Sequence, residues 1–249
     1  MYHFFHEGPL FEMERAATCL FGVRRFGVHV NGYIRNEQGA IDKMWVSQRA
    51  MHKATYPGLL DNLAAGGLTS GYSVLEVARK ELQEEASVFE DLWEHLRPAG
   101  VIKYVDRTSS IFRMLKPCFI FSHCYEDSRG VCPEHLFIYD LEVPVDFKPV
   151  NTCTEVSAFV LKSIPEMFKM IQLPNFKPNS ALVVLDFLIR HGFLTPEHSK
   201  LTNFHHLSHD FYFTLTFLAP HYSYLTQGMH VDPFAQLSHI PESSCSAFL

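Results

Sequence analysis

The chain has 249 residues, of which 47% are hydrophobic and 14% aromatic, so it can bury a core of its own and is not a disordered or low-complexity protein. It carries 21 lysines and arginines against 27 aspartates and glutamates, a net charge of -6, which argues against a surface that follows nucleic-acid phosphates. An anionic partner therefore has to be met by local cations.

Cysteine usage and hydropathy bear on the compartment. The six cysteines form no CxxC pair, which argues against a structural zinc site or a disulfide framework and favours a reducing compartment. The amino-terminal stretch MYHFFHEGPLFEMER lacks both the apolar core of a signal peptide and the arginine-rich run of a transit peptide. No apolar run approaches the roughly 20 residues that a membrane helix needs. We therefore expect a cytoplasmic protein that contacts no membrane.

The predicted elements run in the order strands, helix, strands and helices, which favours a mixed α/β layered domain. Alternating patterns at 26–34 and 43–46, with a turn at 36–39, predict a β-hairpin. A polar connection and a glycine-rich loop lead from it to a helix at 73–88. The remaining predictions are a short helix at 90–96, strands at 100–105, 118–122, 136–141 and 157–161, and helices at 165–171 and 180–191, the last closed by Gly192.

The most informative stretch is residues 66–88, GGLTSGYSVLEVARKELQEEASV. On a helix, Glu81, Glu84 and Glu85 lie at positions i, i+3 and i+4, so three carboxylates share one face. Like charges at this spacing repel one another unless a cation lies among them, and carboxylate oxygens suit Mg²⁺ or Mn²⁺. The alternative interpretation is a solvated acidic face. The spacing thus makes the three glutamates candidate metal ligands.

The start of the same helix is suited to an anion. Ser73 and Glu76 have the spacing of a capping box, which fixes the first turn. Before them stand Gly66, Gly67 and Gly71, whose backbone amides, together with the helix dipole, favour a negatively charged group. An anion cradle and a divalent-cation site are therefore predicted at the same end of one element.

These residues resemble the Nudix box, in which a glycine, five residues, a glutamate and seven residues precede an Arg-Glu-aliphatic-x-Glu-Glu-x-Gly-aliphatic run. Aligned without gaps, Gly66 is the box glycine, the three glutamates match, and Lys80 replaces the arginine. Tyr72 stands at the first glutamate position, and Ser87 stands where glycine is usual. The resemblance implies a Nudix α/β/α sandwich with a central mixed sheet between helices.

The flanking sequence resembles the Nudix subfamily related to thiamine pyrophosphokinase. The resemblance is carried by GVHVNGY, MWVSQRAMHKATYPGLLDNLAAGG, FIYDLEVPVDFKP and NSALVVLDFLIRHG, and it runs from about residue 21 to about residue 206. In that subfamily the displaced first glutamate is usual. The resemblance implies a diphosphatase of thiamine diphosphate or of its damaged oxo and oxy analogues.

The proposed chemistry assigns roles to particular side chains. Glu81, Glu84 and Glu85 would hold Mg²⁺ or Mn²⁺, and Lys80 beside them completes the predicted catalytic set. The general base cannot be identified from the sequence, although Glu155 is a candidate. The predicted substrate-binding residues are Arg49, Lys53, Gly66 and Gly67. For Arg49 and Lys53 the alternative interpretation is an ordinary solvated surface.

Other polar groups stay outside the predicted site. His29 and Asn31 alternate on one face of the first strand of the hairpin, where they either line a pocket or satisfy the core. Asp186 and Arg190, at i and i+4, predict a helix salt bridge. The run FHHLSHD at 204–210 has a histidine spacing that can bind zinc or nickel, but without a second ligand group nearby a chance cluster is favoured.

Two function classes compete with a Nudix diphosphohydrolase. A Nudix-fold isopentenyl diphosphate isomerase is disfavoured, because that enzyme needs a cysteine near the start of its box and residues 62–67 read NLAAGG. A noncatalytic binding or regulatory domain is favoured by Tyr72 and Ser87. Within the hydrolases, an enzyme for nucleoside diphosphates or ADP-ribose is the alternative, since loops outside the box select the organic moiety.

We divide the chain into a short amino-terminal remnant at 1–22, a Nudix domain at 23–206 and a carboxy-terminal tail at 207–249. The tail has no counterpart in the resemblance, so we expect it to contribute little to the core. The expected partner is a small-molecule diphosphate substrate. The sequence leaves the oligomeric state open.

Overall fold

Groups of strands are followed by pairs of helices along the chain. The computed structural model describes residues 2–5, 9–104, 123–127 and 130–194. The strands within these ranges are β1 Tyr2–Phe5, β2 Pro9–Met13, β3 Arg25–Arg35, β4 Ile41–Arg49, β5 Leu60–Asp61, β6 Ala64–Gly67, β7 Leu96–Tyr104, β8 His123–Asp127, β9 Gly130–Glu142 and β10 Val156–Ser163. The helices are a 3₁₀ helix at Arg15–Phe21, α1 Val74–Ala86, α2 Glu90–Trp93, α3 Ile164–Met170 and α4 Pro178–Arg190.

The central sheet is mixed and is built around β3. Its main strand order is β10-β4-β3-β9-β7, with β3 antiparallel to β4 and parallel to β9. Short strands add to it: β5 pairs with β4, β6 pairs with β3, and β8 pairs with β9. The pairing of β6 with β3 places Gly66 opposite Val28 and Gly67 opposite Gly27. The glycine-rich segment is therefore held in the sheet before α1 begins.

Helices cover both faces of this sheet. Because successive side chains of a strand point to opposite faces, Val28 and Val30 pack into the core that includes Leu82 of α1. Tyr33 packs on the other face, into the core formed with α3 and α4, which includes Phe187. The predicted α/β/α sandwich with a central mixed sheet is confirmed.

Most of the predicted elements are present. The hairpin forms as β3 and β4, and its turn is closed by a 2.9 Å hydrogen bond from the Asn36 amide to the Ala40 carbonyl, with Gly39 at a φ of 78°. The predicted helix at 73–88 is α1, with Ser73 as its N-cap. Strands β9 and β10 and helices α3 and α4 also lie where the patterns place them.

The short helix predicted at 90–96 ends early. Helix α2 stops at Trp93, and Leu96 already belongs to β7, where it pairs with Leu141 of β9. The sequence predicts this strand only from residue 100, because Pro98 is a poor strand former. Strand β7 accommodates Pro98 because it lies at the edge of the sheet order and changes register between Pro98 and Gly100.

Some of the predicted segments lie in parts of the chain that the structure does not describe. The predicted strand at 118–122, the histidine run at 204–210 and the tail at 207–249 lie outside the described residues. The expectation of reduced cysteines is wrong at Cys19, which is disulfide-bonded, whereas Cys153 is free. In the part of the chain that is described, no helix is long and apolar enough to cross a membrane.

Candidate active site

The candidate site begins where strand β6 leads into helix α1. The capping box predicted from the sequence forms: the Ser73 amide donates to Glu76 Oε2 at 2.7 Å, and the Glu76 amide donates to Ser73 Oγ at 3.3 Å. These bonds satisfy amides that the first turn of a helix leaves free. The direction of α1 relative to β6, and with it the placement of its glutamates, is fixed at this turn.

Glu85 is the most buried of the three candidate ligands. Its side chain lies against β6, where Oε2 accepts a 2.9 Å hydrogen bond from the Ala65 amide, and the residue is only 7% exposed. Burial raises the pKa of Glu85 to about 8, with the nearby charges of Glu81 and Asp61 adding to the rise and the Ala65 amide opposing it. A buried carboxylate among other carboxylates is stabilised in its charged form by a cation.

Glu81 lies directly against the box glycine. A Cβ atom built on Gly66 would lie 2.1 Å from Glu81 Cδ, so a side chain at position 66 would displace the carboxylate. Burial raises the pKa of Glu81 as well, and the charges of Glu84 and Glu155 add to the rise. Glycine is thus required at position 66 because the side chain of Glu81 lies where a Cβ atom would be.

Glu84 is oriented differently from the other two glutamates. Its side chain is 52% exposed and lies 3.4 Å from the ammonium of Lys80, one turn earlier on α1. Within the described ranges, no group of three or more His, Cys, Asp or Glu side chains is arranged to hold a metal ion. The predicted three-glutamate site is therefore present as neighbouring side chains on one helix and not as an assembled shell.

The chemistry of these donors nevertheless fits a hard divalent cation. Glu81 and Glu85 present carboxylate oxygens beside the backbone of β6, and both have a raised pKa because burial disfavours their charge. A divalent cation bound between them would compensate that charge, and oxygen ligands are those that Mg²⁺ and Mn²⁺ prefer.

The two predicted phosphate-binding cations have partners within the fold. Arg49 Nη1 lies 3.0 Å from Asp61 Oδ2, and Arg49 Nη2 donates to the Thr55 carbonyl at 2.9 Å, so this guanidinium braces the loop after β4. Lys53 pairs with Glu155, whose pKa is lowered by that hydrogen bond. Glu155, the candidate base, is close enough to the glutamates of α1 to act on the pKa of Glu81 and of Glu85.

Two of the three departures from the motif, Tyr72 and Ser87, lie at the two ends of α1. Tyr72, at the first glutamate position, is exposed and precedes the helix cap. Ser87 ends α1 with a φ of 53°, in the left-handed region where glycine is favoured, which accounts for the glycine usual at this position. Its hydroxyl donates to the Val150 carbonyl at 2.7 Å, a bond that glycine would lack.

Asp61 was not identified from the sequence. Its carboxylate accepts from Lys177 Nζ at 2.9 Å, from the Asn62 amide at 2.9 Å, from Arg49 and from Ser180 Oγ. Burial alone would raise the pKa of Asp61, but these partners, Lys177 foremost, hold it well below its ordinary value. Its partners on α4 lie 116 and 119 residues away in the chain, so no local pattern marks this aspartate.

His29 and Asn31 belong to the core, as one of the two interpretations held. His29 Nδ1 lies 2.7 Å from Asn62 Oδ1, Asn62 Nδ2 donates to Asn31 Oδ1 at 3.0 Å, and Asn31 Nδ2 donates to Asp140 Oδ1 at 3.0 Å. Burial lowers the pKa of His29 and favours its neutral form. The helix salt bridge predicted between Asp186 and Arg190 forms at 2.6 Å, and Arg190 also contacts Asp140 at 2.6 Å.

Arg15 was also missed, because it precedes the motif. Its guanidinium lies on Gly67: a Cβ atom built on that glycine would be 2.0 Å from Arg15 Nη1. Residues before the predicted domain therefore reach the glycine-rich strand of the candidate site.

Comparison with known proteins agrees with this geometry. The NUDIX domain model matches residues 25–173, from β3 to the turn after α3. In Arabidopsis thaliana, the protein named Nudix hydrolase 20, chloroplastic, is 37% identical over 196 residues, 78% of this chain and 47% of the relative. Nudix hydrolase 24, chloroplastic, from the same plant is 38% identical over 194 residues, with the same two shares.

A yeast relative and a solved structure extend the comparison. An uncharacterized Saccharomyces cerevisiae protein is 34% identical over 190 residues, 76% of this chain and 53% of that protein. The chain thus spans about half the length of the curated relatives it matches. The NUDIX domain of Shewanella oneidensis NrtR, solved with ADP ribose, has a TM-score of 0.47 at 12% identity over 68% of this chain and 88% of that one, a likeness too low to carry an argument. Because the domain model matches more than half of its residues, the chain belongs to the NUDIX domain family.

Proposed function

We propose that the chain is a Nudix hydrolase that cleaves the diphosphate of a small molecule with the help of Mg²⁺ or Mn²⁺. The observation that carries this proposal is the position of Glu81 and Glu85, which lie against the backbone of β6 at the glycine pair. These two carboxylates would hold a hard divalent cation, which would supply positive charge for a phosphate group.

Each predicted residue has a role in the proposed reaction. Glu81, Glu84 and Glu85 would hold the metal ion, which when bound neutralises charge on the phosphate oxygens and lowers the pKa of a water molecule. Water adds to one phosphorus, the bond from that phosphorus to the bridging oxygen breaks, and the products are a monophosphate and phosphate. Glu155 is our candidate for the group that accepts the proton of the attacking water.

The remaining predicted residues position the substrate. Gly66 and Gly67 would keep the phosphate beside strand β6, because the room left by their missing side chains holds the side chains of Glu81 and Arg15. Lys80 and Lys53 supply positive charge beside the glutamates with which they pair. Arg49 orders the loop that carries Lys53, because its guanidinium donates to the Thr55 carbonyl.

The substrate that we propose is thiamine diphosphate or one of its oxidised analogues. The support is the likeness of four flanking segments to the thiamine pyrophosphokinase-related subfamily, since the box itself specifies only diphosphate and metal. We also propose a cytoplasmic location and no nucleic-acid partner, the latter on the net charge of -6. The two Arabidopsis relatives are named chloroplastic, so localisation of the tagged protein is the direct test.

The test is a side-by-side assay of product formation with Mg²⁺. The panel contains thiamine diphosphate, its oxo and oxy analogues, ADP-ribose and oxidised nucleoside diphosphates. We expect the highest kcat/KM for a thiamine compound, whereas a preference for ADP-ribose or a nucleoside diphosphate would replace that substrate and keep the reaction. Binding without turnover of any compound would favour the noncatalytic alternative.

The variant Glu85→Gln tests the metal role. The amide keeps the shape of the side chain but lacks the anionic ligand, so we expect turnover to fall by about 100-fold or more. The fold should persist, because burial already favours a neutral group at this position. The matched control is Glu37→Gln, an exposed glutamate in the β3–β4 turn, which should keep wild-type turnover. Unchanged turnover in Glu85→Gln would contradict the metal assignment.

A further inference from the structure

The segment before the NUDIX domain is anchored beside the glycine-rich strand. Glu12 Oε1 accepts a 2.9 Å hydrogen bond from Ser70 Oγ in the loop that precedes α1. The 3₁₀ helix at Arg15–Phe21 follows, and its residues Thr18 and Cys19 are buried. Thr18 Oγ1 donates to the Arg15 carbonyl at 2.7 Å. The backbone at Arg15 is thus held by contacts on both sides.

The side chain of Arg15 lies over the second glycine of the strand. A Cβ atom on Gly67 would be 2.0 Å from Arg15 Nη1, 3.1 Å from Cζ and 3.2 Å from Cδ. A Cβ atom on Gly66 would meet Glu81 in the same way. Because successive positions of a strand face opposite sides, Arg15 and Glu81 lie on the two sides of β6. The glycine pair makes room for a cation on one side and for a carboxylate on the other.

The guanidinium of Arg15 can bind an anion at this position. The residue is exposed, and among the described residues no hydrogen bond or ion pair is made by its guanidinium. Its guanidinium lies over Gly67, the residue that directly follows Gly66, which Glu81 contacts. In contrast, the guanidinium of Arg49 is committed to Asp61 and to loop carbonyls.

We propose that Arg15 binds a phosphate group of the diphosphate substrate, so that a residue outside the NUDIX domain at 25–173 completes the substrate site. This inference rests on the proposed function, because it needs a diphosphate at the glycine pair. Guanidinium groups bind phosphate through two parallel N–H donors, and Arg15 has these donors free of the protein contacts described above. Because Gly67 has no side chain, the guanidinium of Arg15 can lie close to the backbone of β6.

The experiment measures binding of methylenediphosphonate, a diphosphate mimic that is not hydrolysed, by titration calorimetry with saturating Mg²⁺ on the full chain. Arg15→Ala should weaken its binding by about 10- to 100-fold, the usual effect of losing charge-assisted hydrogen bonds. Arg15→Lys should recover part of the loss, since it keeps the charge without the planar fork. Gly67→Ala should weaken binding too, because its methyl group would displace the guanidinium.

The control variant is Arg24→Ala, which removes another exposed arginine just before β3 and should bind like the wild type. Mn²⁺ binding, measured by electron paramagnetic resonance, distinguishes the proposed phosphate-binding role of Arg15 from the proposed metal-binding role of the glutamates. In Arg15→Ala it should be unchanged or slightly tighter, because a cation near the carboxylates is gone. In Glu85→Gln it should be lost.

Wild-type diphosphonate affinity in Arg15→Ala, with Glu85→Gln impaired, would overturn the role of Arg15 and leave the proposed function standing. Weaker Mn²⁺ binding in Arg15→Ala without a change in diphosphonate affinity would assign Arg15 a structural role and overturn the inference. A wild-type chain that binds Mn²⁺ but no diphosphonate would overturn both.

Discussion

The two faces of the central sheet are held to their helices by different interactions. The contacts of α1 with β3 are apolar: Val28 and Val30 pack with Leu82, and all three are fully buried. Under α4 a chain of buried polar groups runs beside the apolar core. Its members are His29, Asn31, Asp61, Asn62, Asp140, Lys177, Ser180 and Arg190.

The two faces therefore differ in how precisely their contacts orient the helix. Apolar contacts are non-directional, so the α1 face stabilises the helix while the cap and the glycine pair set where its glutamates lie. Hydrogen bonds and ion pairs are directional, and the α4 face uses them to join β3, β5 and β9 to one helix. Breaking the polar face should therefore leave buried charges without partners, whereas breaking the apolar face should leave a cavity.

The largest effect is expected from Asp61→Asn. The change leaves Lys177 and Arg49 in the interior without their anion, so we expect a loss of about 3–5 kcal/mol in the free energy of unfolding. Urea denaturation measures it. The control is Asp42→Asn, a half-exposed aspartate that lies 3.7 Å from the ammonium of Lys43, which should change stability by less than about 0.5 kcal/mol. Equal stability of the two variants would show that the polar face does not hold α4.

On the opposite face, Leu82→Ala should cost about 3 kcal/mol, because a fully buried leucine is replaced by a cavity. Leu75→Ala, which truncates a partly exposed leucine on the same helix, should cost much less. Thermal unfolding of both variants gives the comparison. A similar loss in each would mean that the buried position of Leu82 is not what makes it stabilise α1.

Asp140→Asn tests the polar face through pH. Burial would raise the pKa of Asp140, but the neighbouring His191, 3.5 Å away, and the charge and hydrogen bonds of Arg190 hold it below the ordinary value of 3.8. A carboxyl whose pKa is lower in the folded state adds stability above that ordinary value and loses it as the pH falls. At pH 7 we expect the variant to lose about 2 kcal/mol.

Denaturant unfolding across pH 7 to pH 3 measures this difference. The gap between wild type and Asp140→Asn should narrow at the acid end, since the wild-type carboxylate is then being protonated. If the difference in free energy of unfolding between wild type and Asp140→Asn is the same at every pH, Asp140 contributes through its shape and not through its charge.

The smallest effect is expected at the start of α1. Ser73→Ala removes the side-chain half of the capping box and should cost about 1 kcal/mol. Thr69→Ala, an exposed threonine in the preceding loop, is the control and should be neutral within about 0.5 kcal/mol. Thermal unfolding is the measurement, and a neutral Ser73→Ala would mean that the cap does not fix α1.

The sequence predicted local features well because their causes are local. The hairpin, the capping box and the period of α1 each depend on residues within a few positions of one another. The three glutamates share a helix face for the same reason. The limits of α2 and β7 were wrong since the pairing of Leu96 with Leu141, 45 positions away, decides them.

The sequence predicted the β3–β4 hairpin, the motif at residues 66–88 and the candidate ligands on α1, but it did not predict the short strands β5 and β6 before that helix. Which of those ligands is buried depends on tertiary contacts, because Glu85 meets the Ala65 amide while Glu84 faces Lys80. The tertiary structure also decided that Arg49 is committed to Asp61 and that Arg15 reaches Gly67. These contacts join residues far apart in the chain, and the free energy of burying a charge depends on that spatial neighbourhood and not on sequence spacing.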